Sequence, residues 1–393
     1  MKSIVWVVTG KPSSFIEEKI KGLMAQNWEV FLITPNDNDY QHLQTPKISK
    51  KEIDRKKKSI TTFFWVLFHF SWFLEVAQFF RKTRQHNRLD AMKMAIGACV
   101  LAQRKKPNLI HVQWLHETVR FAPIAKRWNI PLLASVRGSQ ANYYIDSTKD
   151  GMERFLLNAQ YATHFHCVGM EMSEKLVSLG IPTEKITVIY NGLDRSIFKP
   201  LDSKSLDDSP VRLLTVGNFN PRKNHLAALS LMAELKKEQL DFQWTFIGEG
   251  HGEKRFQYFV QLLDLPESQV VFLKGLNAQQ MANQYQKHHF LLGFSSSEGL
   301  CNSVLEAMAC GCIPIVFQAT GMQELIPTDD AGTIIPWGDV MEMKRQMAVL
   351  MDRKVEWKKW SENAVASSMN FPSHQESTQD WIKLYQRLTE VQP

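Results

Sequence analysis

No C-x-x-C pair occurs among this chain's five cysteines, Cys99, Cys167, Cys301, Cys310 and Cys312, and Cys310-Gly311-Cys312 spans a helix end with no histidine spaced as a partner ligand. That pattern argues against a zinc site and for reduced thiols in the cytosol. No metal and no cofactor is expected. The opening MKSIVWVVTGKP offers one lysine and about five apolar residues before Thr9-Gly10, too few for a signal-peptide core, and predicts a first buried strand. Internal repeats and low-complexity tracts are missing. The single Asp-x-Asp, Asp37-Asn38-Asp39, follows an early strand and reads as a solvated turn.

A clean transmembrane run is also missing. The nearest approach, Ser59 to Phe80, places Ser71, Glu75, Gln78 and Lys82 at helical spacing, and a spanning helix would not turn Glu75 to lipid. A helix packed in the first domain and an interfacial helix remain, with a true span least favoured. Lys51, Arg55, Lys56, Lys57 and Lys58 precede this stretch and Arg81, Lys82, Arg84 and Arg88 follow it. A peripheral contact with the inner face of the membrane through 51–88 therefore stays open for a cytoplasmic protein.

Lysine and arginine number 47 against 40 acids, a formal charge of +7. That excess permits an acidic ligand, an anionic membrane or nucleic acid without choosing among them. No nucleic-acid-binding module is recognisable, so no nucleic-acid partner is expected. The 393 residues, 44% of them hydrophobic, are enough for two or three domains. Apolar runs at Ile4 to Val8, Val30 to Ile33, Leu109 to Val112, Leu132 to Ser135 and Thr187 to Ile189 alternate with helical stretches such as Phe15 to Gln26. A Lys/Asp/Ser-rich stretch from Lys199, KPLDSKSLDDSP, interrupts this rhythm as a linker. The alternation then resumes at Arg212 to Val216, Gln243 to Ile247, Val270 to Leu273, Phe290 to Phe294 and Ile313 to Phe317. The expected fold class is α/β, with two doubly wound, Rossmann-like domains of parallel strands covered by helices. The boundaries fall at 1–198 and 199–375. A last helix, 376–393, either closes the second domain or crosses back to the first.

Chemistry concentrates in SSSEGLCNSVLEAMACGCIPIV, Ser295 to Val316, which reads strand, loop, helix, strand. Asn302 or Ser303 is the expected cap, Ser303 to Glu306 has the spacing of a capping box, and Gly311 suits the helix end. Helix amides at the carboxyl end of a parallel sheet make an anion site. Two acids beside it, Glu298 and Glu306, need other work, such as accepting hydrogen bonds from sugar hydroxyls.

The run Glu298-Gly299-Leu300-Cys301-Asn302-Ser303-Val304-Leu305-Glu306-Ala307-Met308-Ala309-Cys310-Gly311 resembles the E-G-x-x-N-x-x-x-E-A-M-A-x-G motif of GT-B glycosyltransferases in the large retaining family 4. Val216 to Asn224, VGNFNPRKN, is similar to that family's phosphate-binding loop, and Ile189 to Asp194, IYNGLD, fits the approach to the linker. The resemblance implies two domains facing across a cleft, the first binding a glycan or lipid-linked acceptor and the second a nucleotide-sugar donor. It further implies that Glu298 holds the donor sugar's hydroxyls and supports charge at the anomeric centre. Glu306 would bond the ribose, and amides near Gly299, Asn302 and Ser303 would face the pyrophosphate. Lys223, with Arg222 and the Gly217-Asn218 turn, would neutralise the leaving diphosphate. Fixed cations could then replace a divalent metal.

Two positions depart from the family pattern. Asn218 stands where many relatives carry arginine, leaving Arg222 as a candidate substitute. Ser135-Val136-Arg137-Gly138-Ser139 stands where many carry a histidine before glycine, making Arg137 and Gly138 candidate active-site residues. His111 sits at a strand end as a candidate site histidine or a core one. The opening, which lacks a double glycine, looks like the exopolysaccharide and lipopolysaccharide branch. The expectation is a retaining hexosyltransferase (EC 2.4). A non-catalytic sugar-nucleotide-binding or membrane scaffold of the same fold is the alternative.

Overall fold

The apolar pentad Ile4–Val8 forms β1, a central strand of the first of two parallel sheets. The computed structural model of the chain describes residues 3–9, 14–34, 43, 47–49, 76–79, 106–138, 141–142, 145, 148–201 and 210–390. Strands β2 (Glu29–Thr34), β3 (Lys47–Ser49), β4 (Leu109–Val112), β5 (Leu132–Val136), β6 (His164–Cys167) and β7 (Ile186–Val188) complete this sheet in the order β3-β2-β1-β4-β5-β6-β7. The second sheet runs β10 (Val270–Leu273), β9 (Phe242–Ile247), β8 (Val211–Val216), β11 (Phe290–Gly293), β12 (Ile313–Phe317) and β13 (Thr333–Ile335). In each sheet the order turns back beside the first strand. That reversal is the crevice where open α/β sheets place ligands.

Period-two alternation assigns the two faces of the first sheet. Val5 and Val7 point into one core with Ile16, Ile20 and Leu23 of helix α1 (Ser14–Ala25), while Trp6 and Val8 point into another with Val119, Phe121 and Ile124 of α2 (Thr118–Trp128). Helices α3 (Gly151–Ala159) and α4 (Met170–Ser178) lie between β5 and β7 in the chain. In the second sheet, helices α5 (His225–Lys237), α6 (Glu253–Leu262), α7 (Ala278–Lys287) and α8 (Asn302–Ala309) alternate with the strands. After them come α9 (Met322–Leu325), α10 (Val340–Asp352) and α11 (Trp357–Ser368).

The chain divides into one unit of Met1–Val168, Met172–Ile189 and His374–Pro393, and another of Gly169–Glu171 and Tyr190–Ser373. The stretch from Tyr190 to the expected boundary at 198 packs with the second unit, where Leu193 bridges to Ser373 and Arg195 donates to the Met369 and Phe371 carbonyls. The last helix, α12 (His374–Glu390), returns to the first unit. Its buried stripe of Trp381, Ile382, Leu384 and Tyr385 joins the core of α1. Gly22 of α1 has no room for a side chain, since a Cβ there would collide with Thr378 of α12.

Most of the basic aromatic segment 51–88, the Asp37 to Asp39 turn, Cys99, Ser139 and linker residues 202–209 lie outside the described residues. Within 51–88 the described turn Val76 to Phe79 is helical, with Val76 1% exposed in the first core and Phe79 edge-on to Tyr161. Among the described residues, no helix is long and apolar enough to cross a membrane.

Replacing Trp381 by alanine is expected to cost about 3–5 kcal/mol. An unchanged denaturation midpoint would show that α12 is not part of this core.

Candidate functional site in the second domain

Asn220-Pro221-Arg222-Lys223-Asn224 follows β8 and folds as a single 3₁₀ turn, Pro221–Lys223. Its start and stop are both written in asparagine. The Asn220 side chain accepts from the Lys223 amide, and Asn224 takes the left-handed conformation (φ 47°) that short polar side chains tolerate. This turn aims two cations at one carboxylate. Lys223 Nζ lies 2.7 Å from Glu298 Oε1, and an Arg222 guanidinium nitrogen lies 3.2 Å from Glu298 Oε2. Arg222 also donates to the Ser297 carbonyl at 2.8 Å, and the Ser296 amide donates to the Arg222 carbonyl at 2.9 Å.

Glu298 is 7% exposed. Burial raises its carboxyl, but the Lys223 and Arg222 charges, with hydrogen bonds from Lys223 and Ser295, outweigh it and hold the group below its ordinary value. Burial in turn disfavours the Lys223 ammonium, and Glu298 more than restores it. Two cations and one carboxylate leave a net charge of +1, beside the positive end of α8. That excess can receive an anion.

Glycines let the backbone close around the cations. A Cβ at Gly217 would lie 2.9 Å from Lys223 Cε, so only glycine leaves Lys223 its path. Gly248 and Gly250, in the turn from β9 to α6, approach the backbone of Gly217 and Phe219 where any side chain would collide. The turn is thus structural support for the 217–224 loop. Asn218 follows Gly217 at the carboxyl end of β8.

Helix α8 begins at Asn302 after Cys301, with no side-chain cap. The expected capping box is absent because Glu306 falls at the fifth helical position, too far along to reach back to the cap. An α-helix gives the first-turn amides of Asn302 and Ser303 no intrahelical acceptor. Asn191 donates to the Asn302 side chain at 3.2 Å, and Gly299 precedes the helix with Gly321 packed against its carbonyl. Glu306 Oε2 accepts from the Tyr285 hydroxyl at 3.0 Å.

Sequence reasoning missed His225, which lines a small cavity with Lys223, Ser295, Cys301 and Ser303. It stacks on Phe219 at 4.3 Å, and burial followed by the Lys223 charge lowers its pKa to about 4. It is a neutral wall. A histidine opening a helix carries no spacing signal that would have revealed this.

The remaining candidates belong to the first domain. His111 is fully buried and bonded on both ring nitrogens, to the Tyr385 hydroxyl at 2.6 Å and Ser135 Oγ at 2.8 Å. That is the core reading of His111. Arg137 and Gly138 follow β5 at its carboxyl end, Arg137 half-buried and donating to Gln113 at 3.3 Å.

Burial pushes Glu306 up to about 7, against the lowering effect of the Tyr285 hydrogen bond. A carboxyl raised from 4.5 to about 7 binds more protons folded than unfolded between those values, so its contribution to stability falls as pH rises through that window. Glu306→Gln is expected to flatten this decline, read as the melting temperature against pH. An unchanged slope would contradict the assignment.

The family described as Glycosyltransferase Family 4 matches residues 13–197, and that described as Glycosyl transferases group 1 matches residues 199–366. The amylovoran biosynthesis glycosyltransferase AmsK of Erwinia amylovora is 28% identical over 176 residues, 43% of this chain and 42% of that protein. The Escherichia coli K12 protein named for colanic acid biosynthesis, WcaL, is 26% identical over 182 residues, 44% of each chain. The chain thus aligns with less than half the length of these relatives. The sucrose-phosphate synthase of Thermosynechococcus elongatus superposes with a TM-score of 0.76 at 14% identity, covering 100% of both chains. Anabaena HepE in complex with UDP and glucose gives 0.74 at 15% identity, covering 98% of this chain and 99% of that one. With both of its sheets accounted for, the chain belongs to the GT-B glycosyltransferases of family 4, the group 1 glycosyl transferases.

Proposed function

We propose that the chain is a retaining hexosyltransferase that moves a sugar from a nucleotide-sugar donor to a glycan acceptor, lipid-linked, in surface polysaccharide biosynthesis. The observation that carries this reading is the buried Glu298 held between Lys223 and Arg222 beside the start of α8. A departing nucleoside diphosphate gains negative charge as the glycosidic bond breaks. A fixed ammonium and helix amides then stabilise the transition state more than the bound donor. Glu298 keeps acceptor capacity on both oxygens for donor hydroxyls. Glu306 serves the ribose hydroxyls. HepE bound to UDP and glucose supports the donor class, and the names of AmsK and WcaL support the pathway.

Glu298→Gln should leave the fold intact and lower transfer by about 10²- to 10³-fold, the scale of losing one preorganised electrostatic contact. Activity within about threefold of wild type would sink this assignment. The same fixed charges take the place of a divalent metal in this proposal, so transfer should survive chelation. Complete loss in EDTA, restored by magnesium or manganese, would refute it.

The acceptor reading extends to the membrane through the basic residues of 51–88. Each basic side chain near an anionic surface contributes about 1 kcal/mol. Binding to anionic liposomes should be salt-sensitive and weaken when Lys56, Lys57 and Lys58 become glutamate. No flotation of the wild type at low salt would exclude this contact.

A further inference from the structure

Alternation along β4 and β5 sends His111, Gln113, Ser135 and Arg137 to the face of the first sheet that α1 and α12 cover. Deeper in, the polar groups close on one another. Tyr385 meets His111, His111 meets Ser135, Ser135 Oγ meets His166 Nδ1 at 2.9 Å, and His166 Nε2 meets the Ile189 carbonyl at 2.9 Å.

At the carboxyl ends of the strands this balance fails. Lys19 Nζ donates to Gln113 Oε1 at 3.1 Å, and Arg137 donates to the same oxygen. Lys19 is 4% exposed and Gln113 is fully buried. Among the described residues, no carboxylate pairs with Lys19, whose other contact is the Trp381 ring at 4.3 Å. Gln113 Nε2 is a buried donor with no partner. Turning the amide over would not help, because both neighbours are donors and require the oxygen. Among the described residues, the buried Lys19 ammonium and the Gln113 amide nitrogen therefore lie together with one acceptor, Gln113 Oε1, and Arg137 adds a second positive charge beside it. Burying an ammonium this way is costly unless an anion joins it. Arg137 lies 5.8 Å over Trp114, and these two half-buried side chains form the outer members of the cluster.

We propose that Lys19, Gln113 and Arg137 form an oxyanion subsite in the first domain, which takes a phosphoryl or carboxylate group carried by the acceptor. The acceptor part of this statement rests on the function proposed above; the anion site does not, and its test uses no donor and no turnover. The groups facing Lys19 are Arg137 beyond β5, His111 and His166 on β4 and β6, and Tyr385 and Trp381 on α12. Burial, then the Arg137 charge, holds the Lys19 amine well below its usual value. An anion arriving beside it reverses part of that shift. Binding should therefore take up protons at pH values between those at which the free and the anion-bound amine titrate.

The experiment is calorimetric titration of the full chain with inorganic phosphate and, separately, with glucuronate, each in two buffers of different ionisation enthalpy. The comparison is with Gln113→Glu, which supplies the missing carboxylate internally, and with Lys19→Met. Gln113→Glu should be at least as heat-stable as wild type, lose about tenfold or more in affinity for the anion, and lose the proton uptake. Lys19→Met should lose both as well. Should Lys19→Met fail to fold, Gln113→Glu decides alone. A response to phosphate only assigns a phosphoryl group, and one to glucuronate only assigns a carboxylate. No binding of either anion, or equal affinity and proton uptake in wild type and Gln113→Glu, would overturn the proposal.

Discussion

A carboxylate buried between two cations is the constraint on which the second domain's loops depend. Glu298 cannot stay ionised inside the protein unless Lys223 and Arg222 reach it, and a buried charge left without its partners is strongly destabilising. The surrounding backbone is arranged to keep that contact. Asn220 and Asn224 bound the turn that carries the cations, Gly217 leaves room for the lysine, and Ser296 ties the Glu298 loop to the Arg222 carbonyl. The resulting excess of one positive charge is available to a ligand.

The first domain meets the problem of buried polar groups differently. Its sheet carries His111 on β4 and His166 on β6, on either side of β5, and a chain of hydrogen bonds through Ser135 joins them and reaches the Tyr385 hydroxyl. Helix α12 therefore supplies both apolar cover and one end of a polar chain. The returning C-terminus is part of this domain's core, not an appendage to the other.

Much of the fold was legible because parallel strands buried on both faces are nearly continuous apolar runs. Ile4–Val8, Leu109–Val112, Val270–Leu273 and Ile313–Phe317 stand where the apolar pattern puts them. Strand β6, HFHC, was not legible. Its polar positions, His164 and His166, find partners in Thr187 and Ser135 that only the assembled sheet brings near. Three-residue strands β3 and β13 are too short for periodicity to register. At the site, the residue pattern drew attention to Glu298 and Glu306 and the family resemblance to Lys223, but the capping-box spacing misled. A helix beginning two residues earlier than that box requires moves Glu306 out of reach of the cap and against Tyr285. The unusual burial of Lys19 was invisible, since a lysine in an amphipathic helix ordinarily faces water.

The central claim is that the charged pocket around Glu298 and Lys223 is built for a nucleotide-activated sugar. Saturation-transfer NMR of the intact chain against uridine, guanosine and adenosine diphosphate sugars tests it most directly. The account predicts transfer to one of these donors, displaced by the matching free nucleoside diphosphate. A folded protein that transfers saturation to none of them would contradict it.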